Sequence, residues 1–240
     1  MVIEIATSDF ESTKNAIAGG ADRIELCANL GEGGTTQSYG VIKTCREHFD
    51  VNIYPIIRVR GGDFLYTNEE YECMHKDALM CKELGTDGIV VGFLNIDGSI
   101  DIERTAKIIE AVYPLKVTFH RAFDRCKNPF EAMEQLIEAG CERILTSGQQ
   151  RTAPEGLDLI TQLNKQSNGR IIIMPGSGVR ASNIKQIAIH TGCTEFHASL
   201  RELTISKMQY ITTAFDGDSE NNHYTVNTMA VTLFRNALTK

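Results

Sequence analysis

Several features that mark membrane, secreted or metal-ribbon proteins are missing from this 240-residue sequence. No apolar run approaches the roughly 20 residues that span a bilayer. Glu4 interrupts the apolar stretch at the amino terminus, so we expect neither a membrane anchor nor a signal peptide. The seven cysteines are odd in number and lack CxxC or CxxxC spacing, which argues against a disulfide framework or a zinc ribbon. We therefore expect a reduced, cytoplasmic protein.

Positive charge is also scarce relative to negative charge. The chain has 24 Lys and Arg against 31 Asp and Glu, a formal net charge of −7. This balance argues against nucleic acid or an anionic membrane as the main partner. The apolar content of 42% is ordinary for a globular protein. The length is close to the ~250 residues of a single (β/α)8 barrel.

Eight short runs rich in Ile and Val recur along the chain, and a helical pattern separates each run from the next. They cover residues 2–6, 23–27, 53–59, 88–93, 116–120, 143–147, 171–174 and 195–198. Alternating β and α segments predict a parallel sheet. The even-numbered strands share one entry layout, a helix-ending glycine followed by polar residues, at Gly20, Gly85, Gly140 and Gly192. A repeated βαβα unit favours a closed barrel over an open doubly wound sheet.

We therefore predict an α/β protein with the (β/α)8 TIM-barrel fold, as a single domain over residues 1–240. Residues 199–224 are polar and without clear periodicity, which predicts a long loop that is either a lid or partly disordered. Residues 225–240 follow as the closing helix.

Polar side chains interrupt strands that a parallel barrel should keep apolar. They are Glu4, Glu25, Arg58, Arg60, Thr118, His120, Glu195 and His197. A charge that faces the helix layer would be costly to desolvate, so we expect these side chains to point into the barrel and pair there. Two interpretations remain open, a salt-bridged plug without chemistry or a site for a small anionic ligand.

If the interior is a site, the residue types suit acid–base chemistry on an anionic substrate. Glu4 or Glu25 would serve as the base and His120 as the acid. Arg58 or Arg60 would hold a carboxylate or phosphate. We assign catalytic roles to Glu4, Glu25, Arg58 and His120.

Further ligand-binding candidates follow the strands. The stretch Val117–Asp124 ends strand 5 with Arg121 and Asp124 beside His120. His197 lies in strand 8, and Asp63 lies in a glycine-bearing loop after strand 3 that is suited to closing over a ligand. The active site of a TIM barrel usually lies at the carboxyl ends of its strands.

Glycine-rich turns after strands 6 and 7 predict an anion site. Gly176, Ser177 and Gly178 follow strand 7, where barrels often bind phosphate near a helix amino terminus. Ser147 and Gly148 follow strand 6 and offer hydroxyl and amide donors. A plain tight turn is the alternative interpretation.

Six segments together resemble the CutC family, whose members are described as copper homeostasis proteins. They are Gly20–Cys27, Glu32–Thr36, Ile57–Phe64, Val117–Asp124, Leu145–Gly148 and Met174–Val179. The resemblance covers roughly residues 1–200. It implies a TIM barrel, a cytoplasmic location, a homo-oligomer (dimer or tetramer) and a link to copper tolerance.

The resemblance also implies a metal, Cu(I), with Cys27 as a ligand. Family members commonly carry a second cysteine at the position of Ala6, and two such thiols would form the proposed Cu(I) pair. This chain retains only Cys27. The alternative function is a TIM-barrel lyase, isomerase or hydrolase that acts on a small phosphorylated or carboxylated metabolite.

Overall fold

The structure is a computed structural model that describes residues 1–210 and 221–238. Eight parallel strands form the barrel: β1 (Val2–Thr7), β2 (Arg23–Leu26), β3 (Asn52–Pro55), β4 (Gly88–Val91), β5 (Lys116–Phe119), β6 (Arg143–Thr146), β7 (Ile172–Pro175) and β8 (Glu195–Ala198). Ladders run in the orders β3-β2-β1-β8 and β4-β5-β6-β7. A parallel bridge between Ile56 and Val90 joins β3 to β4, and β7 packs beside β8. The predicted TIM barrel is confirmed.

Eight helices surround the strands in the described part of the chain. They are α1 (Phe10–Ala18), α2 (Tyr39–His48), α3 (Asn68–Glu83), α4 (Ile102–Val112), α5 (Pro129–Glu138), α6 (Leu157–Ser167), α7 (Ile184–Thr191) and α8 (Thr228–Ala237). The main hydrophobic core lies between strands and helices, where alternate strand residues such as Ile3, Ile5, Ile24 and Leu26 are fully buried. None of the described helices is long and apolar enough to cross a membrane.

The glycines that precede the even-numbered strands show why the sequence repeats them. Gly20, Gly85, Gly140 and Gly192 have φ angles of 99°, 71°, 85° and 69°. Only glycine adopts this left-handed conformation without steric cost, and it lets the chain leave a helix and turn into the next strand. The repeat therefore reflects backbone geometry at the amino-terminal end of the barrel.

The third strand is shorter than predicted. β3 ends at Pro55 rather than at residue 59, because the chain turns after it to pair with the loop that follows β2. There the Arg58 N–H donates to Thr36 Oγ1 at 2.9 Å, and the Thr36 N–H donates to the Arg58 carbonyl at 2.8 Å.

The predicted polar loop over residues 199–224 contains an antiparallel hairpin, β9 (Arg201–Thr204) and β10 (His223–Val226). Both strands are short and mostly exposed, so they lack the apolar run that marks a buried strand. Residues 211–220 of this segment lie outside the described residues. α8 falls within the predicted closing helix, whose last two residues, 239–240, are also outside them.

Candidate active site

Charged side chains fill the amino-terminal half of the barrel interior as a connected network, here called the ionic layer: Glu4, Arg23, Arg143 and Glu195. Arg23 Nε donates to Glu4 Oε2, and Arg23 Nη2 donates to Glu195 Oε2 at 2.6 Å. Arg143 Nε donates to the same Glu195 oxygen at 2.7 Å, and its Nη1 donates to Thr118 at 3.1 Å. All these side chains are buried. The ionic layer has the salt-bridged arrangement that was one of the two interpretations of the polar strand residues.

Arg23 and Arg143 are not among the site residues predicted from the sequence. Both precede apolar residues at the start of even-numbered strands, in the repeated layouts Gly20-Ala-Asp-Arg-Ile24 and Gly140-Cys-Glu-Arg-Ile144. Arg23 also shares strand parity with Glu25, so its side chain had to point to the same side as that glutamate. Strand parity, together with the repeated layout, could therefore have identified these two arginines as residues of the barrel interior.

One pleat nearer the carboxyl ends of the strands lies the upper layer: Glu25, Arg58, His120 and His197. His197 Nδ1 lies 2.8 Å from Glu4 Oε1, and its Nε2 lies 3.8 Å from Glu25 Oε2. A hydrogen bond to a carboxylate requires a proton on Nδ1, so Nε2 is the atom that exchanges protons. No side-chain hydrogen bond reaches the Glu25 carboxyl from the described residues.

The pKa values of Glu25 and His197 are both raised. Burial and the charge of Glu4 raise the pKa of Glu25 to about 7, against the opposing charges of His197 and Arg23. Burial disfavours the charged form of His197, but the carboxylates of Glu25 and Glu4 outweigh it and raise its pKa. Burial likewise disfavours the charge on Glu4, yet Arg23 and His197 hold the pKa of Glu4 far below its usual range. Glu25 and His197 therefore form an acid–base pair, and Glu4 orients it.

His120 has a different character from His197. The ring is buried, and its Nδ1 accepts the Ala122 N–H at 3.1 Å. Burial, followed by the charge of Arg58, lowers the pKa of His120 to about 3. At neutral pH His120 is therefore an uncharged imidazole.

Arg58 ties together the loops that follow β2 and β3. Its Nη atoms donate to the carbonyls of Glu32, Gly34 and Gly62 at 2.9, 3.0 and 2.8 Å. The guanidinium also stacks on the Phe64 ring at 4.8 Å from its centroid. The guanidinium of Arg58 lies next to the cavity, and among the described residues no carboxylate pairs with its charge.

A cavity of about 1160 Å³ opens at the carboxyl ends of the strands, and the upper layer forms its floor. The structure brings to its lining most of the residues predicted as a site: Glu25, Arg58, His120, Arg121, Asp124, Ser177, Gly178 and His197. Further arginines surround it: Arg125, Arg151, Arg180 and Arg201. The cavity is thus rich in cations although the chain as a whole is acidic.

The turn after β6 is occupied by the chain's own carboxylate. Asp124 accepts hydrogen bonds from the Ser147 N–H at 3.0 Å, the Gln149 N–H at 3.1 Å and the Ser147 hydroxyl at 2.9 Å. Arg121 Nε also donates to it at 2.8 Å, and the Gly148 N–H donates to Thr146 Oγ1. The donors of Ser147 and Gly148, predicted to bind an anion, are already engaged.

The turn after β7 is open to the cavity. Ser177 and Gly178 both have φ near 71°, and the Ser177 hydroxyl donates to the Arg151 carbonyl at 2.9 Å. A Cβ on Gly176 would lie 2.4 Å from Leu145 Cδ1, so a larger residue there would require the Leu145 side chain to move. α7 begins at Ile184, several residues beyond this turn.

Arg60 and Asp63 brace the loop after β3 instead of lining the cavity. Arg60 Nε donates to Glu70 at 2.6 Å, and its Nη1 donates to Asp63 at 3.0 Å. The guanidinium also stacks on Tyr66. These contacts fasten the loop to α3.

Cys27 is fully buried, and its thiol donates to the Thr7 carbonyl at 3.6 Å. Burial, with a smaller contribution from the charge of Glu25, raises the pKa of the thiol well above its ordinary value. Among the described residues that line the cavity there is no cysteine or methionine. The two-thiol Cu(I) site does not fit these residues, since Cu(I) requires soft ligands.

One other donor set is compact enough to consider for a metal. Ligand atoms of Glu4, Glu25 and His197 lie within 4.8 Å of one another. Both oxygens of Glu4 are already engaged, one by Arg23 and one by His197. The geometry therefore favours proton transfer within this set.

Comparison with known proteins agrees with the resemblance in sequence. The sequence model of the CutC family matches residues 1–202. The chain belongs to the CutC family. A CutC family protein of Parabacteroides distasonis is 54% identical over 87% of this chain and 86% of its own length. Another, from Chromobacterium violaceum, is 47% identical over 87% and 85%.

Solved structures confirm the fold of this CutC family member. A crystal structure of the putative copper homeostasis protein CutC from Streptococcus agalactiae matches with a TM-score of 0.79 and 33% identity, over 82% of this chain and 97% of that one. Phosphoribosylanthranilate isomerase from Thermotoga maritima matches with a TM-score of 0.61 and 13% identity, over 100% and 99%. The second likeness shows the barrel fold alone.

Proposed function

We propose that this CutC family protein is an enzyme that transfers a proton to or from a small anionic substrate. The observation that carries the proposal is the Glu25–His197 pair, 3.8 Å apart on the cavity floor. A buried carboxyl with a pKa of about 7 is poised to gain or lose a proton at neutral pH. The neighbouring carboxylates of the ionic layer are neutralised by arginine, whereas Glu25 is not.

The charge around the cavity supports a phosphorylated or carboxylated metabolite as the substrate class. Among the described residues, Arg125, Arg151, Arg180 and Arg201 line the cavity without an ion-pair partner. Guanidinium groups bind carboxylate and phosphate well, because their planar N–H groups match two oxygens at once. The open turn at Ser177 and Gly178 adds backbone donors near Arg151 and Arg180.

Proton abstraction can be detected without knowing the net reaction. Mixtures of small phosphorylated and carboxylated metabolites are incubated with the protein in deuterium oxide, and proton NMR follows the loss of a C–H signal. We expect exchange with the natural protein and a loss of about 10²- to 10⁴-fold in Glu25→Gln, as for removal of a general base. Glu110→Gln, on the solvent side of α4, is the matched control and should retain the rate. Undiminished exchange in Glu25→Gln would contradict the proposal.

Copper homeostasis is a second candidate, because the Streptococcus agalactiae relative is named a putative copper homeostasis protein. Such a role with direct Cu(I) binding needs a second soft ligand beside Cys27. Titration of the reduced protein with Cu(I) tests it. Tight stoichiometric uptake that Cys27→Ser abolishes would favour this candidate, and weak uptake unchanged by Cys27→Ser would remove it.

We also propose a cytoplasmic location and a homo-oligomer. Support for the first is that all seven cysteines carry free thiols, as expected in a reducing compartment. Support for the second is that large apolar side chains are exposed on β9, β10 and α8, namely Leu203, Tyr224, Met229 and Leu233. Light scattering should show a mass above 26.6 kDa that Leu203→Asp reduces. A monomer at all concentrations would exclude the oligomer.

A further inference from the structure

Three buried side-chain atoms of the described residues lack a hydrogen-bond partner, and they belong to Arg58 (Nε), Tyr66 (Oη) and His120 (Nε2). Arg58 and His120 contact the same ring, since Phe64 lies 4.8 Å from the guanidinium and 4.9 Å from the imidazole. Buried polar groups in folded proteins are nearly always satisfied. Arg58 and His120, which both line the cavity, therefore each hold a polar atom whose hydrogen bond the described chain does not supply.

The backbone determines which nitrogen of His120 carries the proton. The Ala122 N–H donates to Nδ1 at 3.1 Å, so Nδ1 is an acceptor and is unprotonated. A neutral imidazole has one N–H group. The ring is neutral because burial and the charge of Arg58 lower its pKa to about 3. Nε2 is consequently an N–H donor, buried and without a partner.

The position of the ring is fixed from the side of β4. A Cβ on Gly92 would lie 2.3 Å from both Nδ1 and Cε1 of His120, so no larger residue leaves room for the ring. Phe64 packs on the ring at 49°. His120 also lines the cavity that Glu25 and His197 line. The ring is therefore held rigidly and lines the same cavity as the acid–base pair.

We propose that His120 donates its Nε2–H to the reacting oxygen of a carbonyl or carboxylate substrate. The proposal rests on the proposed function and deepens it. The Glu25–His197 pair takes the proton from the carbon next to the carbonyl, the C–H electron pair becomes a C=C bond, and the carbonyl π electrons move to the oxygen. A fixed neutral donor stabilises that negative oxygen, and the charge of Arg58 favours it further.

This role differs from the general acid that the sequence suggested for His120. An imidazole that stays neutral does not act as an imidazolium acid at neutral pH. It lowers the energy of an enolate by hydrogen bonding while the proton itself moves at the other wall of the cavity. Proton abstraction next to a carbonyl, as in an isomerase or a lyase, is then favoured over hydrolysis.

Nitrogen NMR of protein with ¹⁵N-labelled histidine tests the donor directly, with His120→Asn used to assign the signal. In the free protein we expect a neutral ring protonated at Nε2 from about pH 5 to pH 8. Acetate, the simplest carboxylate probe, should shift the Nε2–H signal downfield. A ring that titrates near neutral pH, a proton at Nδ1, or a signal that acetate does not move (an ordered water only) would overturn the proposal.

Variants separate this inference from the proposed function. Glu25→Gln should slow deuterium exchange by about 10²- to 10⁴-fold but keep the acetate shift at His120. Gly92→Ala should displace the ring and lose the acetate shift, whereas Gly40→Ala, where an added Cβ meets no atom within 4 Å, is the control and should keep it. An acetate shift without any deuterium exchange supports the donor and contradicts the proposed function. Deuterium exchange without an acetate shift supports the proposed function and contradicts the role of His120 as the donor.

Discussion

In the ionic layer each carboxylate faces a guanidinium: Arg23 contacts Glu4 and Glu195, and Arg143 contacts Glu195 from the other side. The upper layer begins only two residues further along the same strands, at Glu25 and His197. There the carboxyl of Glu25 has no arginine partner, and its nearest basic group is an imidazole at 3.8 Å. Two similar sets of buried ionisable groups therefore differ in how fully their charges are compensated.

This difference in charge compensation gives the two layers of the barrel different roles, one structural and one chemical. A compensated carboxylate keeps its charge across the physiological pH range and serves only to fill and lock the interior. An uncompensated one has a pKa near neutral and is free to exchange a proton. The ionic layer also assists the upper layer, because Glu4 belongs to the network of Arg23 and at the same time orients His197.

The largest expected effect comes from breaking the ionic layer. Glu195→Gln leaves Arg23 and Arg143 without their shared carboxylate, and removing one partner of a buried ion pair typically costs about 3–5 kcal/mol. Glu25→Gln, its counterpart in the upper layer, loses no ion pair with arginine and should not be destabilised at pH 7. Urea denaturation of both variants measures the contrast. Equal losses would show that the two layers do not differ in compensation.

A smaller effect is the pH dependence that Glu25 gives to stability. Its pKa is raised from 4.5 to about 7 on folding, so the folded chain holds more protons than the unfolded chain between these values. Stability from this group is complete below pH 4.5 and is lost as the pH rises through about 7. Relative to Glu25→Gln, the natural protein should therefore become less stable across this window, by roughly 1.4 kcal/mol for each unit of pKa shift.

Measuring that difference in urea at several pH values removes the contribution of His120. The lowered pKa of His120 acts in the opposite direction, since it removes stability as the pH falls below 6.5. It is present in both proteins and cancels in the comparison. A stability difference that stays constant between pH 5 and 8 would show that Glu25 titrates in the same way in the folded and unfolded chains.

The fold and much of the cavity could be predicted from the sequence, because strand parity is a local property. Charges at alternate strand positions in a parallel barrel have to point inward, which placed Glu25, His120 and His197 on one cavity. Which charge compensates which depends on contacts between distant strands. Arg23 and Glu195 are 172 residues apart in the chain, and no local pattern indicates their pairing.

The loops were harder to predict for a similar reason. Asp124 was a candidate ligand-binding residue, and it instead fills the turn at Ser147 with hydrogen bonds. Arg60 was expected to hold an anion, and it instead fastens its loop through Glu70. In both cases the residue type indicated strong hydrogen bonding, but the identity of the partner depended on how two loops meet at the mouth of the barrel.

The smallest expected effect is that of Cys27→Ser. This variant tests whether the thiol takes part in the chemistry of the upper layer. Cys27 follows Glu25 by two residues, yet its buried thiol is neutral and donates to the Thr7 carbonyl. A serine hydroxyl can make the same hydrogen bond, so we expect a change in stability of about 1 kcal/mol or less. Deuterium exchange should also be unchanged, because no proton of the Glu25–His197 pair passes through Cys27. A large loss of exchange in Cys27→Ser, with stability retained, would instead place the thiol in the chemistry and favour the soft-metal candidate.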